Sequence, residues 1–291
     1  MKKILYLFLS VFTLVALDSC KRLEDQDGNL LNDMDANQGG LTGDRFLFQE
    51  VTAADTLAEY HYSGMKLTSV LTDSAKTTVS YNGDQLNKIE FRGLEDGDSI
   101  VIDRFFNYDV NAKLTYITEV NTVYPKTTPP DPVIPVTWKT LYDVYLSPAQ
   151  KLDSIVAKTG QDIAGQAFAF TNYRKWNYTY DIRNNVSAVE YRVGPFAGNV
   201  FGPHTSFLTT AFADYDEMKN PYSLLPFGYV LSKNLDDPKN GYWFSPNNPK
   251  RILSTLEGFP PVVNTVSTLY TYDPQGYALS GFGINYDYRP F

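Results

Sequence analysis

Tyr108-Asp109-Val110-Asn111-Ala112-Lys113-Leu114, followed three residues later by Ile117, reads as an aromatic strand end, a short Asp/Asn turn and the start of a second strand. The unit recurs: its other copies run Tyr62–Leu67 with Val70, Tyr81–Leu86 with Ile89, Tyr145–Leu152 with Ile155, Tyr180–Val186 with Val189, and Tyr272–Leu279 with Phe282. The aromatic-to-aliphatic gap varies from five to seven residues, while the final step is three in all six copies. A variable turn with a fixed exit is the signature of β-hairpins. Asn82-Gly83, Asp109 and Asp273-Pro274-Gln275-Gly276 supply the turn conformations, and the flanking apolar residues set which face packs. A lone hairpin is marginal in water, so consecutive ones must pair edge to edge. The pattern predicts an all-β fold, a single curved antiparallel sheet built from consecutive β-hairpins, with a short helix and long loops near the C-terminal third.

Outward from these units, apolar and polar residues alternate with a period of two, rich in Val, Ile, Thr, Tyr and Phe. The chain end follows suit, with Phe282, Ile284, Tyr286 and Tyr288 alternating with Gly283, Asn285, Asp287 and Arg289. Two stretches break the pattern. Pro125 to Pro135 holds five prolines in eleven residues, and because alternation resumes on both sides it reads as a long hairpin loop rather than a domain boundary. Asn220-Pro221 reads as a helix N-cap and first helical position, giving a short helix over Tyr222–Tyr229 and then a Pro/Asn-rich loop from Asp236 to Lys250.

Residues 1–19 read as a signal peptide. Lys2 and Lys3 precede an uncharged apolar stretch from Ile4 to Leu17 that is too short to anchor in a bilayer. It ends in Leu17-Asp18-Ser19-Cys20, which resembles a bacterial lipoprotein box with Cys20 as the lipidated residue; Asp18 departs from the usual pattern. No cofactor is expected beyond that covalent lipid, through which the chain would be held to a membrane. Residues 20–44, with Glu24, Asp25, Asp27, Asp33 and Asp35 among Gly and Asn, read as a flexible acidic tether, and residues 45–291 as the β-sheet domain.

Composition removes several functions. Two His and one Cys among 291 residues exclude Cys₄ and Cys₂His₂ zinc sites and any intramolecular disulfide, and no metal site is expected. A net charge of −8 argues against a nucleic-acid partner. His61, between Tyr60 and Tyr62, and His204, after Gly202-Pro203, stand in no catalytic spacing. Glu95-Asp96, Asp214-Asp216-Glu217 and Asp236-Asp237 are the clustered carboxylates that could serve acid/base chemistry on a glycan, against the plainer reading of Asp at strand ends and turns, where the side chain accepts turn N–H bonds. Among Trp138, Trp176 and Trp243, the last is the foremost ligand-binding candidate: Tyr242-Trp243-Phe244 lies beside a Pro/Asn loop, where flat rings could stack on sugars, against the plainer reading of a core plug.

The Tyr-Asp dipeptides at 108–109, 142–143, 180–181, 215–216, 272–273 and 286–287, several followed by a turn and Leu-x-x-Φ, resemble the YD-repeat pattern of Rhs-type proteins. With the lipoprotein start, the tether and Asn-Pro-Tyr at 220–222, the whole resembles uncharacterised YD-repeat-like lipoproteins of Bacteroidetes. The first two copies lack Asp after Tyr and the fifth has Val186 for Leu, which favours one curved sheet over a continuous spiral. The resemblance implies an outer-membrane or cell-surface lipoprotein and transfers no catalytic residue. The expectation is a non-catalytic binding or scaffold module presenting an aromatic surface to a glycan or an envelope protein. The alternatives are a glycan hydrolase using a carboxylate pair and a purely structural envelope subunit.

Overall fold

A computed structural model of the protein describes residues 44–126 and 134–291. Residues 1–43, which hold the expected signal peptide, Cys20 and all but the last residue of the expected tether, lie outside the described residues. The chain forms one large antiparallel sheet from strands β1 (Arg45–Val51), β2 (Thr56–Ser63), β3 (Lys66–Thr72), β4 (Ala75–Asn82), β5 (Gln85–Glu95), β6 (Asp98–Tyr108), β7 (Leu114–Tyr124), β8 (Val136–Leu146), β9 (Leu152–Asp162), β10 (Asn172–Tyr180), β11 (Val186–Ala197), β12 (Val200–Phe201), β13 (Ser206–Ala213), β14 (Arg251–Leu256), β15 (Val262–Ser267), β16 (Thr271–Tyr272), β17 (Ala278–Gly281) and β18 (Ile284–Pro290). Sequence neighbours pair throughout β1–β11, and β13 joins β11 beside the small β11–β12 ribbon. The last strand returns to the first, with Arg45 opposite Pro290 and Val51 opposite Asn285. Val123 pairs with Val136 across the proline-rich stretch, as a hairpin connection requires.

The repeat has a structural cause. In every unit the ladder slips at the strand end, placing two residues of one strand against one of its partner, and the residue after the slip faces an inward aliphatic: Tyr62 opposite Leu67, Tyr81 opposite Leu86, Tyr108 opposite Leu114, Tyr180 opposite Val186. In the three units that carry it, the Asp after Tyr closes the turn. Asp109 accepts from the N–H groups of Asn111 (2.8 Å) and Lys113 (2.9 Å), Asp181 from Arg183 and Asn185, and Asp273 from Gln275 and Tyr277. The hydroxyls of Tyr62, Tyr108 and Tyr180 reach the preceding strand's carbonyls at Leu47 (3.0 Å), Leu86 (2.7 Å) and Leu152 (2.7 Å), stitching each hairpin to its neighbour.

Two copies sit one residue away from the predicted register. In the fourth, Leu146 faces Leu152 and takes the inward place, leaving Tyr145 51% exposed. In the sixth, Tyr272 faces Ala278, so Leu279 and Phe282 are not the inward pair; Phe282 stands at the β17–β18 turn with a φ of 51°, and alternation begins at Ile284. An apolar residue on either side of a turn satisfies the same sequence pattern, and only the slip in the ladder decides which one faces in.

Between β13 and β14 the chain leaves the sheet and fills its concave face. A 3₁₀ turn (Pro221–Leu224), helix α1 (Phe227–Asp236) and a second 3₁₀ segment (Pro238–Phe244) form this plug. The N-cap expectation for Asn220 holds, since its side chain accepts from the Tyr222 N–H and donates to the carbonyls of Tyr242 and Ser245. The predicted span Tyr222–Tyr229 does not hold as one helix. Pro226 breaks it, the α-helix runs from Phe227 to Asp236, and the expected loop after Asp236 contains the second 3₁₀ segment.

The plug is apolar and aromatic where it meets the sheet. The rings of Tyr229 and Tyr60 lie 6.1 Å apart, those of Tyr222 and Tyr286 6.0 Å, and those of Tyr242 and Phe212 5.7 Å. Gly241 fits because no side chain could: a Cβ there would come within 2.4 Å of Val189. Buried Glu50 joins sheet to plug by accepting from the hydroxyls of Tyr60 and Tyr222, and burial raises its pKa above the ordinary carboxyl value despite those hydrogen bonds.

The tyrosine stitch gives a direct comparison. Tyr180→Phe should lower unfolding stability by about 1–2 kcal/mol in urea titration, because the Leu152 carbonyl loses its donor. Tyr145→Phe, at the exposed position of the displaced copy, should change it by less than about 0.5 kcal/mol.

Candidate functional site

The plug covers only part of the concave face. Beyond α1 lies a cavity of about 640 Å³, walled by β4–β11 and floored by Tyr229, Ser232, Lys233, Leu235 and Asp236. Glu95, Asn121, Trp138 and Asn172 line it near the strand ends that adjoin the turns and loops opposite the tyrosine-stitched end. Residues one step apart across the sheet share a face, and the pairings bring Arg104 beside Glu119, Glu119 beside Thr140, and Thr140 beside Thr159. The adjoining row carries Tyr142, Ala157 and Arg174.

A hydrogen-bonded chain runs through these rows. Arg104 is the hub: its Nε donates to Glu119 at 2.6 Å, one terminal nitrogen donates to the carbonyl (2.7 Å) and hydroxyl (2.6 Å) of Ser232 on α1, and the other meets Asp236. The Tyr142 hydroxyl donates to the same Glu119 oxygen at 3.0 Å and accepts from Arg174 at 2.9 Å. Burial works against the charge of Arg104, but Asp236 and Glu119 outweigh it and hold its pKa well above the usual guanidinium value. Burial, reinforced by the Glu119 charge, pushes the Tyr142 phenol far up, so its proton stays on. Arg174 lies against the faces of Tyr142 and Trp176, each ring centroid 5.5 Å from its guanidinium carbon.

Other lining groups carry unused or weakly used polarity. The hydroxyls of Thr140 and Thr159 bond to each other at 3.0 Å. Asn121 Oδ1 is buried with no hydrogen-bond partner, an arrangement that normally costs free energy unless something donates to it. Lys233 and Trp138 complete the set.

The residues singled out from sequence fall elsewhere for the most part. Tyr242 is buried, Trp243 stacks face to face on Tyr222 at 3.8 Å with the rings within 4° of parallel, and Phe244 packs against Tyr178 and Phe227. That geometry is a core plug rather than an open platform. Trp176 is fully buried, which leaves Trp138 as the tryptophan that lines the cavity. His61 lies within β2 beside Glu59, and His204 in its loop contacts Glu257 at 2.8 Å. Asp214 pairs with Arg251 at 3.2 Å, Asp216 takes the N–H groups of Met218 and Asn248, and Asp237 caps the second 3₁₀ segment. Glu95 lines the cavity and Asp236 meets Arg104, so two of the clustered carboxylates do reach the site. Among the described residues no group of three or more His, Cys, Asp or Glu could hold a metal ion, and no helix is long and apolar enough to cross a membrane.

No protein-family model matches the chain, and no curated protein does. Among solved structures it is similar to a porin-like protein from Bacteroides vulgatus, at 16% identity over 85% of this chain and 100% of that one, with a TM-score of 0.48. It is also similar to a porin-like protein from Bacteroides uniformis, at 12% identity over 83% of this chain and 95% of that one, with a TM-score of 0.41.

The Arg104 cluster sets a measurable cost. Arg104→Met should destabilise the protein by about 3–5 kcal/mol, because Glu119 is left buried and unpaired, and adding Glu119→Leu should recover most of the loss in a double-mutant cycle. Asp236→Asn, whose side chain is 44% exposed, should cost less than about 1 kcal/mol.

Proposed function

We propose that the protein is a non-catalytic binding module of the cell envelope, an acyl-anchored lipoprotein of the YD-repeat-like kind, whose sheet forms a cup for a small polar ligand. One observation carries the reading: a cavity of about 640 Å³, in the size range of small-molecule sites, sets convergent polar side chains of β7–β10 across from an apolar wall of Ile89, Phe91, Ile100 and Ile102 on β5 and β6. The anchor rests on the Leu17-Asp18-Ser19-Cys20 box, and the family on six Tyr-turn units, four of which the tyrosine stitch or the Asp-closed turn accounts for physically. The same two features support an outer-membrane or cell-surface location.

Binding fits the site better than hydrolysis. A glycosidase needs one carboxylate free to pass a proton and a second free to attack or to activate water. Here Glu119 and Asp236 both serve as partners of Arg104. The Tyr142 hydroxyl is committed to Glu119, and its raised pKa opposes a role as nucleophile.

The full chain in detergent, screened by thermal shift against a glycan panel, should give a ligand that at about 100 times its Kd adds roughly 2.7 kcal/mol, a rise of several degrees. Trp138→Ala should abolish that rise and Trp243→Phe should leave it, since only Trp138 lines the cup. Turnover of any bound glycan would defeat the non-catalytic reading. In cells, Cys20→Ser should lose palmitate labelling and release the protein from the membrane fraction.

A further inference from the structure

We infer that the cup selects an acidic sugar, a hydroxyl-rich ring bearing a carboxylate, with Arg174 as the residue that takes the acid group. This rests on reading the cup as a binding site and names the ligand class.

The argument begins with charge accounting inside the cavity. Three cationic side chains line it, Arg104, Arg174 and Lys233, together with three acidic ones, Glu95, Glu119 and Asp236. Arg104 takes both Glu119 and Asp236. Neither Arg174 nor Lys233 has a carboxylate within ion-pair distance among the described residues, although Arg174 feels the Glu119 charge and Lys233 the Glu50 charge through space, and Lys233 lies over the Tyr229 ring. The third acid, Glu95, is exposed near the outer end of β5, where water screens it.

Arg174 is also aimed and held. Its guanidinium lies against the faces of Tyr142 and Trp176, and its contacts beyond those rings are hydrogen bonds to the phenols of Tyr142 and Tyr191. A guanidinium carries five N–H donors in a planar fork that matches a carboxylate, so donors remain for a ligand. Lys233, on the cavity floor, adds a second positive charge to the same space.

The polar part of the remaining wall asks for a neutral, hydroxyl-bearing body, and Phe91, Ile100 and Ile102 offer apolar surface to the C–H face of its ring. Asn121 Oδ1 needs a donor and has none. Thr140, Thr159 and Asn172 offer both donors and acceptors, and Trp138 offers an aromatic face. Inorganic phosphate or sulfate would satisfy the cations and leave Asn121 unanswered, because neither supplies a ring of hydroxyls. A neutral sugar would answer Asn121 and leave Arg174 without its counter-charge.

The test is calorimetric titration of the full chain in detergent with glucuronate and galacturonate, against glucose, galactose, acetate, sulfate and inorganic phosphate. Uronates should bind at least tenfold tighter than the matching neutral sugars and the bare anions, and the preference should shrink as salt is raised. Arg174→Gln should reduce uronate affinity at least tenfold, with Arg174→Lys intermediate. Because Arg174 packs on Trp176, Lys233→Gln, at a partly exposed position on the floor, serves as a second variant and should also weaken uronate binding. Neutral sugars binding as tightly as uronates, with Arg174→Gln and Lys233→Gln unchanged, would overturn this inference and leave the cup as a binding site. Bare anions binding as tightly as uronates would overturn the sugar part. Silence from every probe would overturn the inference and count against the binding reading itself.

Discussion

A single sheet of alternating residues has two faces, and the apolar one must be covered by something. Among the described residues no second large sheet packs on it, so the whole fold depends on the excursion between β13 and β14. The plug brings Tyr222, Tyr229 and Tyr242 into a core with Tyr60 from β2 and Tyr286 from β18, and with Val189 and Phe212 from β11 and β13. Strands far apart in the series therefore converge on one short helical segment. That convergence, added to the ordinary twist of the sheet and the slips at the turns, is the physical source of the curvature.

The same constraint creates the site. Near the plug the inward positions are apolar: Phe106 on β6, Ile117 on β7, Val144 on β8, Ile155 on β9, Trp176 on β10. One step further along those strands they become Arg104, Glu119, Tyr142 and Arg174, and Thr159 follows Ala157 on β9. The plug ends at this boundary, and the Ser232 hydroxyl and carbonyl meet Arg104 there. Side-chain polarity and plug length thus agree on where the core stops.

Most of the fold was legible because it is written in local signals. Tyr followed by a turn and an aliphatic pair identifies a hairpin, and six such units in one chain leave a consecutive antiparallel sheet as the simple solution. What local signals could not resolve was a one-residue slip, as with Tyr145 against Leu146, since both neighbours are apolar. The site was less legible. Its residues come from many strands and from α1, each an unremarkable Arg, Glu, Thr or Tyr in its own segment. A signal did exist: in Asp98–Tyr108, Arg104 falls in phase with Ile100, Ile102 and Phe106, and in Leu114–Tyr124, Glu119 falls in phase with Ile117 and Val123. A charge at an inward position of two adjacent strands is a request for a partner. The aromatic run Tyr242-Trp243-Phe244 drew attention because it is conspicuous in sequence, yet conspicuous aromatics are what a plug needs.

Burying Arg104 with Glu119 is not the cheapest way to fill that space. Well-packed apolar residues of similar volume would often do as well or better, because desolvation consumes much of the Coulomb gain. The arrangement is coherent if the wall has to stay polar on its cavity side. Arg104 fixes Glu119, Glu119 fixes the Tyr142 hydroxyl, and Tyr142 fixes Arg174, so that a long and otherwise mobile side chain arrives at the cavity already oriented. A ligand then meets donors whose rotamer entropy was lost on folding, and preorganisation of this kind raises affinity without adding a contact. A proton-transfer site would need one of these groups to change its bonding during a cycle. A binding site needs the opposite, a chain in which every member holds the next in place.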